Sequence, residues 1–500
     1  MPSIRRVKTK SGKTAIQVVR YEDRRVVVMK HMGSGSSSAE VATLQEEARK
    51  WMEETTKQPS FFVSSKAEVD LKRLSVASCE YLGFRYSLLY EVLSGVAKRF
   101  AFTDVVDPLF VDLCLIRLVE PVSKLRSLTL LNRYFGIMYE ERPLYQALPT
   151  FEKQKAEIVK KVVRVCKEEF AFDFSLVFYD VTTLYFESFK SDDLRKNGFS
   201  KDNKFNQPQI VLGLLVNKDG FPVSYDVFEG STFEGKTMLP VIREFVQAHK
   251  ITLCTVVADA AMMGLANLEE IKQNGWRYLV GARIANLPRK TIEQIAEKLQ
   301  MQNGKTFRVH TTHGDLICAF SQKRYTKDKR EMDKQVAKAH ASIAKGGETK
   351  RMKFVAQTKK NAYTFNNNLL QKATLLLGIK GYYTNIPKEE MTDKEILERY
   401  HNLWRVEQAF RITKSDLSAR PIFHHKNEAI KAHILICFAS LAMAKYLELK
   451  TNVSLKHFLD LLKQITDAQM QYKLTQQIFP LRSQISDETK NILNKLDMSY

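Results

Sequence analysis

The feature that most constrains the fold is an alternation of apolar, strand-like segments with amphipathic helical segments between residues 174 and 282. Helical spacing of apolar residues predicts helices over about 236–249 and 264–274. The predicted strands are Phe174–Tyr179, Gln209–Val216, Pro222–Phe228, Thr252–Ala258 and Tyr278–Ala282. Strands that alternate with helices are typical of α/β proteins, so this part of the chain is predicted to form a mixed sheet flanked by helices.

The residues before this segment predict two smaller regions. Short strands over Ala15–Arg20 and Arg25–Met29 indicate a hairpin, followed by the linker-like Gly33–Ser38 and a helix with Ser38 as its N-cap. Residues 70–170 have apolar side chains at helical spacing, with Pro108, Pro121 and Pro143 as predicted breaks between helices. A small N-terminal unit and a helical region are therefore expected.

Charge narrows the class of partner. The chain has 78 Lys and Arg residues against 56 Asp and Glu residues, a net charge of +22. The excess is concentrated in residues 1–30, with nine basic and two acidic residues, and in 322–360, with thirteen basic and four acidic residues. Such a surplus favours an extended polyanion as partner, and nucleic acid is the first candidate. A basic protein that is merely soluble is the alternative.

Cysteine spacing and hydropathy indicate a cytoplasmic protein without a membrane partner. The six cysteines are never closer than 35 positions, so no CxxC pair exists, which fits a reducing compartment. The first 30 residues lack the apolar stretch of a signal peptide. The longest apolar run, Ile434–Leu447, has 14 residues. Because a membrane-spanning helix needs about 20 residues, this run is predicted to be a buried helix.

Two acidic residues follow predicted buried strands. Asp180 ends the segment FSLVFYD, and Asp259 ends the segment TLCTVVAD. An acid at the end of a buried strand faces the rim of the sheet, where its side chain can project into a crevice. Both residues are therefore candidates for chemistry.

A third candidate acid, Glu407, lies in a strongly marked helix. Thr392 and Glu395 predict a capping box at its start, and Pro421 follows its end. At 100° per residue, Tyr400, Glu407 and Lys414 fall within about 20° of one line. Trp404 and Arg411 flank that line in the sequence YHNLWRVEQAFRITK. This face suits a metal-binding acid among side chains that hold phosphate and stack on bases. The alternative is a Glu407–Arg411 salt bridge on an exposed face.

Together, FYDVTTLYFE around Asp180, VVADAAMMG around Asp259 and the segment around Glu407 resemble the DDE transposases of bacterial insertion sequences. The similarity is to the group with the signature Tyr-x2-Arg-x3-Glu-x6-Lys. The arginine position of that signature is Leu403 here, which is a departure from the pattern. The acids are separated by 79 and 148 positions, and the second interval implies a sizeable insertion in the catalytic core.

The resemblance implies an α/β multidomain protein with a ribonuclease-H-like mixed sheet flanked by helices. Its expected regions are a basic hairpin and helix that bind DNA ends (1–60), a helical region (70–170), the first part of the catalytic core (171–287), a basic, β-rich insertion that contacts DNA (288–375), the second part of the core (376–447) and a C-terminal helical region for oligomerisation (448–500).

The resemblance also implies a site and a cofactor. Carboxylate oxygens suit Mg²⁺, and two ions about 4 Å apart can serve the two sides of a phosphodiester. Asp180 is expected to bridge both ions, with Asp259 and Glu407 each completing one metal site; Mn²⁺ is expected to substitute. The expected DNA-binding residues are Tyr400, Trp404, Arg411 and Lys414.

The implied function is cut-and-paste transposition: cleavage at the terminal inverted repeats and transfer of the 3′-hydroxyl into target DNA. The expected partner is double-stranded DNA, bound by a homo-oligomer, with a dimer favoured, at the nucleoid in the bacterial cytoplasm. Two alternatives remain open. One is a metal-dependent nuclease of the same fold without strand transfer, and the other is a catalytically silent DNA-binding protein derived from a transposase.

Overall fold

The computed structural model describes residues 2–22, 25–56, 78–199, 206–262, 264–344, 352–357, 363–473 and 475–499. The predicted boundary between the N-terminal unit and the helical region falls outside the described residues. The chain separates into two compact units, one built from residues 1–93, 129–138 and 456–500 and the other from 94–128 and 139–455.

Helices and strands follow one another along three stretches of the described chain. The first stretch contains β1 (Ser3–Lys8), β2 (Thr14–Glu22), β3 (Arg25–Gly35), α1 (Ser38–Thr56), β4 (Cys79–Arg85), α2 (Ser87–Phe100), α3 (Pro108–Val119), α4 (Lys124–Phe135), α5 (Glu141–Lys153) and α6 (Lys155–Phe170). The second contains β5 (Leu176–Tyr185), β6 (Gln209–Asn217), β7 (Pro222–Glu229), α7 (Met238–His249), β8 (Thr255–Ala258), α8 (Leu265–Gln273), β9 (Arg277–Ala282), α9 (Arg289–Leu299), β10 (Thr306–Thr311) and β11 (Gly314–Phe320). The third contains α10 (Gln322–Ala344), β12 (Val355–Gln357), β13 (Tyr363–Phe365), α11 (Asn367–Leu375), β14 (Ile379–Thr384), α12 (Asp393–His401), α13 (Trp404–Arg411), α14 (Asn427–Thr451), α15 (Leu455–Lys463), β15 (Asp467–Tyr472), β16 (Ile478–Arg482) and α16 (Asp487–Asn494).

The N-terminal strands form a three-stranded antiparallel sheet, with α1 packed on one face through Ile16, Val18, Leu44 and Ala48. The prediction of a linker over Gly33–Ser38 is wrong, because β3 continues through Gly35 and pairs with the start of β2. The helix that follows is capped one residue earlier than predicted: the hydroxyl of Ser37 accepts from the Glu40 N–H, and the Glu40 carboxylate accepts from the Ser37 N–H.

In residues 78–170, the described part of the region predicted to be helical, helices are present, with two corrections. Asp107 caps α3, and Pro108 is the first residue of this helix, a position at which proline is common. Pro143 does not separate helices, because it lies in the first turn of α5, where a missing N–H costs little. The other correction is β4, a strand in this region that pairs with β15 of the C-terminal region.

The C-terminal region was predicted to be helical and is mixed instead. Strands β15 and β16 form a hairpin, and β15 also pairs with β4 to make a three-stranded antiparallel sheet. The local pattern could not show this, because the partner of β15 lies almost 400 residues earlier in the chain.

The larger unit is built on an eight-stranded mixed sheet with the order β10-β11-β14-β9-β8-β5-β6-β7. Strands β5, β8 and β9 are parallel, whereas β6, β7 and the strands on the far side pair antiparallel. The predicted mixed α/β architecture is confirmed. Strand β6 is buried along its whole length, as expected for a strand covered on both faces.

The β-rich insertion predicted for 288–375 is wrong for the described residues. Its largest element is the 23-residue helix α10, in which only Ala339 is buried. Its strands β10 and β11 extend the main sheet, because β11 pairs with β14 and so satisfies the backbone groups along that strand. The described part of the charged segment is thus mostly an exposed helix; the preceding strands β10 and β11 belong to the main sheet, whereas β12 and β13 form a separate two-stranded sheet.

The predicted buried helix is α14, which is longer than the apolar run suggested. With 25 residues it is long and apolar enough to cross a membrane by length and composition alone. Its most apolar window is 94% buried, which is the environment of a core helix. The helix packs against α3, α5 and β7.

Candidate active site

The parallel pairing of β5 with β8 places two of the candidate acids side by side. The last paired residues are Tyr179 and Ala258, so Asp180 and Asp259 are the next residues on neighbouring strands. Asp180 does not end its strand as predicted, because β5 continues to Tyr185 as an antiparallel partner of β6. The two carboxylates nevertheless share the position where the parallel strands separate.

The third acid comes from a helix that is interrupted. The predicted capping box is confirmed, with the Thr392 hydroxyl and the Glu395 carboxylate accepting from each other's backbone N–H. Helix α12 ends at His401, and α13, which carries Glu407, begins at Trp404. Between them the backbone makes i to i+3 hydrogen bonds, including Leu403 N–H to the Tyr400 carbonyl at 3.0 Å. This tighter winding invalidates the 100° count on which the predicted alignment rested.

Three acids from three separate segments line one cavity of about 370 Å³. Asp180 is half-buried, whereas Asp259 and Glu407 are exposed. Among the described residues, the lining is formed by Asp180, Asp259, Lys380, Tyr400, His401, Leu403, Trp404 and Glu407. Within the described part of the chain, no ion pair joins Glu407 to Arg411, the alternative that the helix pattern had left open.

Tyr400 anchors the wall of this cavity. Its hydroxyl donates to Asp259 Oδ1 at 3.5 Å, and its ring lies 4.6 Å from that of Tyr382. A Cβ atom at Gly281 would lie only 2.8 Å from the Tyr400 hydroxyl oxygen, so glycine is what allows the tyrosine to reach Asp259. Burial raises the pKa of Tyr400 well above its usual value, and the charge of Asp259 adds to the shift. The phenol therefore remains a proton donor.

Lys380 is a site residue that sequence reasoning missed. Its Nζ lies 4.7 Å from the centre of the Tyr400 ring and 5.4 Å from that of Tyr382. Burial lowers the pKa of Lys380, as does the charge of Arg324, whereas Asp259 and Glu407 oppose the shift. The signal that could have identified it is a lysine inside the apolar strand IKGYYT.

Of the remaining predicted DNA-binding residues, one lines the cavity and two do not. Trp404 lines the cavity and is 49% exposed, so its ring is accessible. Arg411 and Lys414 do not line the cavity. Lys414 lies in a π-helical turn over Ile412–Asp416, which changes the direction of the side chains after Arg411. The straight-helix geometry from which the alignment of Tyr400, Glu407 and Lys414 was predicted is therefore absent, because the helix is interrupted before Trp404 and ends in a π turn.

The donor set fits a divalent metal by its chemistry. Three carboxylates facing one solvent-accessible cavity, without cysteine, are the oxygen ligands that Mg²⁺ and Mn²⁺ prefer. Among the described residues, no group of three or more His, Cys, Asp or Glu side chains is close enough together to hold an ion. The acids therefore converge on one cavity without forming a closed ligand cage.

Comparison with known proteins gives one strong match. A family model described as the transposase DDE domain matches residues 171–443, which include all three acids and Lys380. No curated protein matches the sequence. Among solved structures, the chain is similar to a piggyBac transposase in a synaptic complex with hairpin DNA, studied by cryo-EM. That similarity has 10% sequence identity and a TM-score of 0.36, and covers 75% of this chain and 70% of the other.

Proposed function

Because the chain belongs to the family of transposase DDE domains, we propose that it is a cut-and-paste transposase that cleaves DNA at transposon ends and transfers the 3′-hydroxyl to target DNA. The family match confirms the resemblance predicted from the sequence. The observation that carries the proposal is the convergence of Asp180, Asp259 and Glu407 on one cavity. The parallel strands β5, β8 and β9, continued by the antiparallel pair β6 and β7, support a ribonuclease-H-like core.

The three carboxylates are the residues that would hold the metal ions, which we take to be two Mg²⁺ ions, with Mn²⁺ as a substitute. A divalent cation bound there supplies positive charge to the scissile phosphodiester and makes the attacking hydroxyl more acidic. The Tyr400 hydroxyl orients Asp259 by donating to its Oδ1. The ring of Trp404 offers an exposed surface on which a base can stack.

Lys380 supplies a basic group to this cavity, which Leu403 cannot do. Leu403 occupies the arginine position of the family signature and lines the cavity as an apolar, 9% exposed side chain. Lys380 lines the same cavity, and its Nζ lies over the ring of Tyr400. We assign to it the contact with a DNA phosphate next to the scissile bond.

Basic side chains extend from the cavity along α10. The helix carries seven lysine and arginine residues, all exposed, and its first turn includes Arg324, which is close enough to lower the pKa of Lys380. We propose that this helix contacts double-stranded DNA, and that the basic strands β1–β3 of the smaller unit provide a separate DNA contact. Two transposon ends must be held together, so the proposed active form is a homo-oligomer, with a dimer favoured.

The test is a pair of assays on the full chain with Glu407→Gln. We expect cleavage of terminal-repeat DNA in Mg²⁺ to fall by roughly 10³-fold or more, because the variant loses a charged metal ligand. Binding of the same DNA, measured by fluorescence anisotropy, should change little. A matched control is Glu398→Gln, which removes the same charge from α12, outside the cavity lining.

The alternatives give different results. A pre-cleaved end supplied with target DNA yields joined product for a transposase and none for a nuclease without strand transfer. If Glu407→Gln cleaves as well as the wild-type chain, the site assignment is wrong. If the wild-type chain binds DNA and never cleaves it in either metal, the protein is a silent DNA-binding relative.

A further inference from the structure

A second and larger cavity, of about 920 Å³, lies in the same compact unit as the acidic one. Its lining comes from the end of α3, the start of α4, helix α5, the loop 418–426 and the first turns of α14. The loop contains His424 and His425, which the proposed function leaves without a role. We call this the basic cavity.

Arg117 is buried in the lining and has no carboxylate partner among the described residues. Its Nη1 donates to the carbonyls of Leu417 at 2.6 Å and Ser418 at 3.1 Å, and its Nη2 donates to that of Val122 at 3.1 Å. The Nε is buried and makes no hydrogen bond. Arg117, at 3% exposure, thus places a guanidinium beside the cavity with only carbonyl oxygens as hydrogen-bond partners.

Lys124 is the second buried basic side chain, at 4% exposure. Its Nζ lies 3.4 Å from His433 Nδ1, and the other ring nitrogen of His433 lies 3.1 Å from the Ala419 carbonyl. Burial and the charges of Lys124 and Arg117 lower the pKa of His433 well below its usual value, so this imidazole is neutral. It donates to Ala419 and accepts from Lys124, which leaves the remaining hydrogens of the ammonium for a ligand.

The surrounding field also favours an anion. Lys124 begins α4, and residues 426, 428 and 429 at the start of α14 line the cavity, so two helix N-termini meet there. The side chain of Lys426 does not cap α14. Of the described residues in the lining, Glu428 is the one carboxylate, and it is exposed. Buried cations and helix N-termini without a buried carboxylate form a site for a phosphate-sized anion.

The cavity lining also contains apolar and aromatic side chains. Phe423 is 63% exposed, Tyr145 is 45% exposed, and Leu125 lies beside them in the lining. Exposed rings in the lining of a basic cavity suit the face of a nucleobase. The volume is in the range of cavities that enclose a small organic ligand, and exceeds what a bare phosphate ion needs.

We propose that the basic cavity binds the phosphate group of a nucleotide through Lys124 and Arg117, with the base against Phe423 and Tyr145. The nucleotide is either free in solution or part of a DNA strand. Arg420, in the same loop, stacks on Tyr185 at the end of β5, the strand that carries Asp180. Tyr185 follows Asp180 by five positions along the strand, a distance of about 17 Å, or roughly five base pairs of duplex. The DNA source rests on the proposed function, whereas the phosphate site itself does not.

The test is a binding titration of the full chain with inorganic phosphate, a deoxynucleoside monophosphate, and a short single-stranded oligonucleotide with and without a 5′-phosphate. We expect Lys124→Met to weaken binding of the monophosphate at least about 10-fold, since a charge-assisted contact is lost. Lys124→Arg should retain most of the binding. Methionine matches the length of lysine and suits a buried position, so the variant should fold. Lys160→Met, an exposed change of the same kind outside the cavity, is the matched control.

Phe423→Ser separates a nucleotide from a simple anion. The Phe423 side chain is exposed, so its removal leaves the fold intact. The substitution should weaken binding of the monophosphate and leave binding of inorganic phosphate unchanged. Preference for the oligonucleotide assigns the site to a DNA strand, and preference for the monophosphate assigns it to a free nucleotide.

Equal binding by the wild-type chain, Lys124→Met and Lys160→Met overturns the proposal, as does an unchanged monophosphate affinity in Phe423→Ser. Glu407→Gln should bind the monophosphate normally. A wild-type chain that never cleaves DNA but binds the monophosphate through Lys124 contradicts the proposed transposase and supports this inference.

Discussion

The two cavities of the larger unit carry opposite charge, and their charged side chains differ in exposure to water. In the acidic cavity, Asp259 and Glu407 are exposed to water, and one lysine lies on the wall. In the basic cavity, Lys124 and Arg117 are buried, and no buried carboxylate faces them. Exposed carboxylates keep their hydration until a cation replaces it, whereas buried cations have already lost theirs.

This difference in exposure determines how much free energy each cavity gains when its ligand binds. A buried, uncompensated cation destabilises the free protein, so the protein gains more free energy when an anion binds to that cation. Exposed acids cost little in the free protein and depend on the ligand to bring them together. Substitutions in the acidic cavity are therefore expected to change mainly the activity. Substitutions in the basic cavity are expected to change the stability of the protein as well.

The largest effect that would sharpen this contrast is expected at Lys380. Lys380→Ala should lower DNA cleavage about 10²-fold, because a positioned charge next to the reacting phosphate is removed. Lys380→Arg should restore most of the rate. Monophosphate binding at the basic cavity should stay unchanged. Single-turnover cleavage rates measure the effect, with exposed Lys388→Ala as the control. Full activity in Lys380→Ala would remove the lysine from the site.

A smaller effect is expected from Gly281→Ala. The new methyl group would lie 2.8 Å from the Tyr400 hydroxyl oxygen and displace the ring from Asp259. Cleavage should fall about 10-fold, since small misplacements in a site reduce the rate.

The double variant with Tyr400→Phe is the control for this clash. Phenylalanine lacks the hydroxyl that the methyl group meets, so adding Gly281→Ala to Tyr400→Phe should cost little further activity. If the two losses simply multiply, the contact between Gly281 and Tyr400 does not position Asp259.

The third expected effect concerns stability and pH at Lys124. Burial lowers the pKa of this lysine from 10.5 to about 7, and the charge of Arg117 adds to the shift, while Cys437 and Cys114 oppose it. Between those values the unfolded chain binds more protons at this site than the folded chain. The stability contributed by this group therefore rises with pH across that window and is constant below it.

Lys124→Met removes this dependence. The variant should be more stable than the wild type near neutral pH, and its advantage should shrink by at most about 1.4 kcal/mol per pH unit above pH 7. Denaturant unfolding of both chains at several pH values measures the difference, with Lys160→Met as the control. A variant that is less stable than the wild type at neutral pH would make Lys124 a structural residue and remove the contrast between the cavities.

Much of the central architecture followed from local patterns. Alternating apolar segments predicted β6, β7 and β9 closely, because buried strands and their turns are local features. The capping box at Thr392 and the buried helix after His433 were predicted for the same reason. The failures share a different cause. The pairing of β4 with β15 and of β11 with β14 joins segments far apart in the chain, which no local pattern reports.

The sequence by itself determined the family, the mixed α/β class and the three acids, because these depend on residue types at fixed intervals. Only the tertiary structure decided that Asp180 and Asp259 are neighbours, since that follows from the parallel register of β5 and β8. It also decided that Lys380, and not Arg411 or Lys414, lines the acidic cavity. The basic cavity is likewise a tertiary property, because Lys124 and His433 are 309 positions apart and only packing makes them partners.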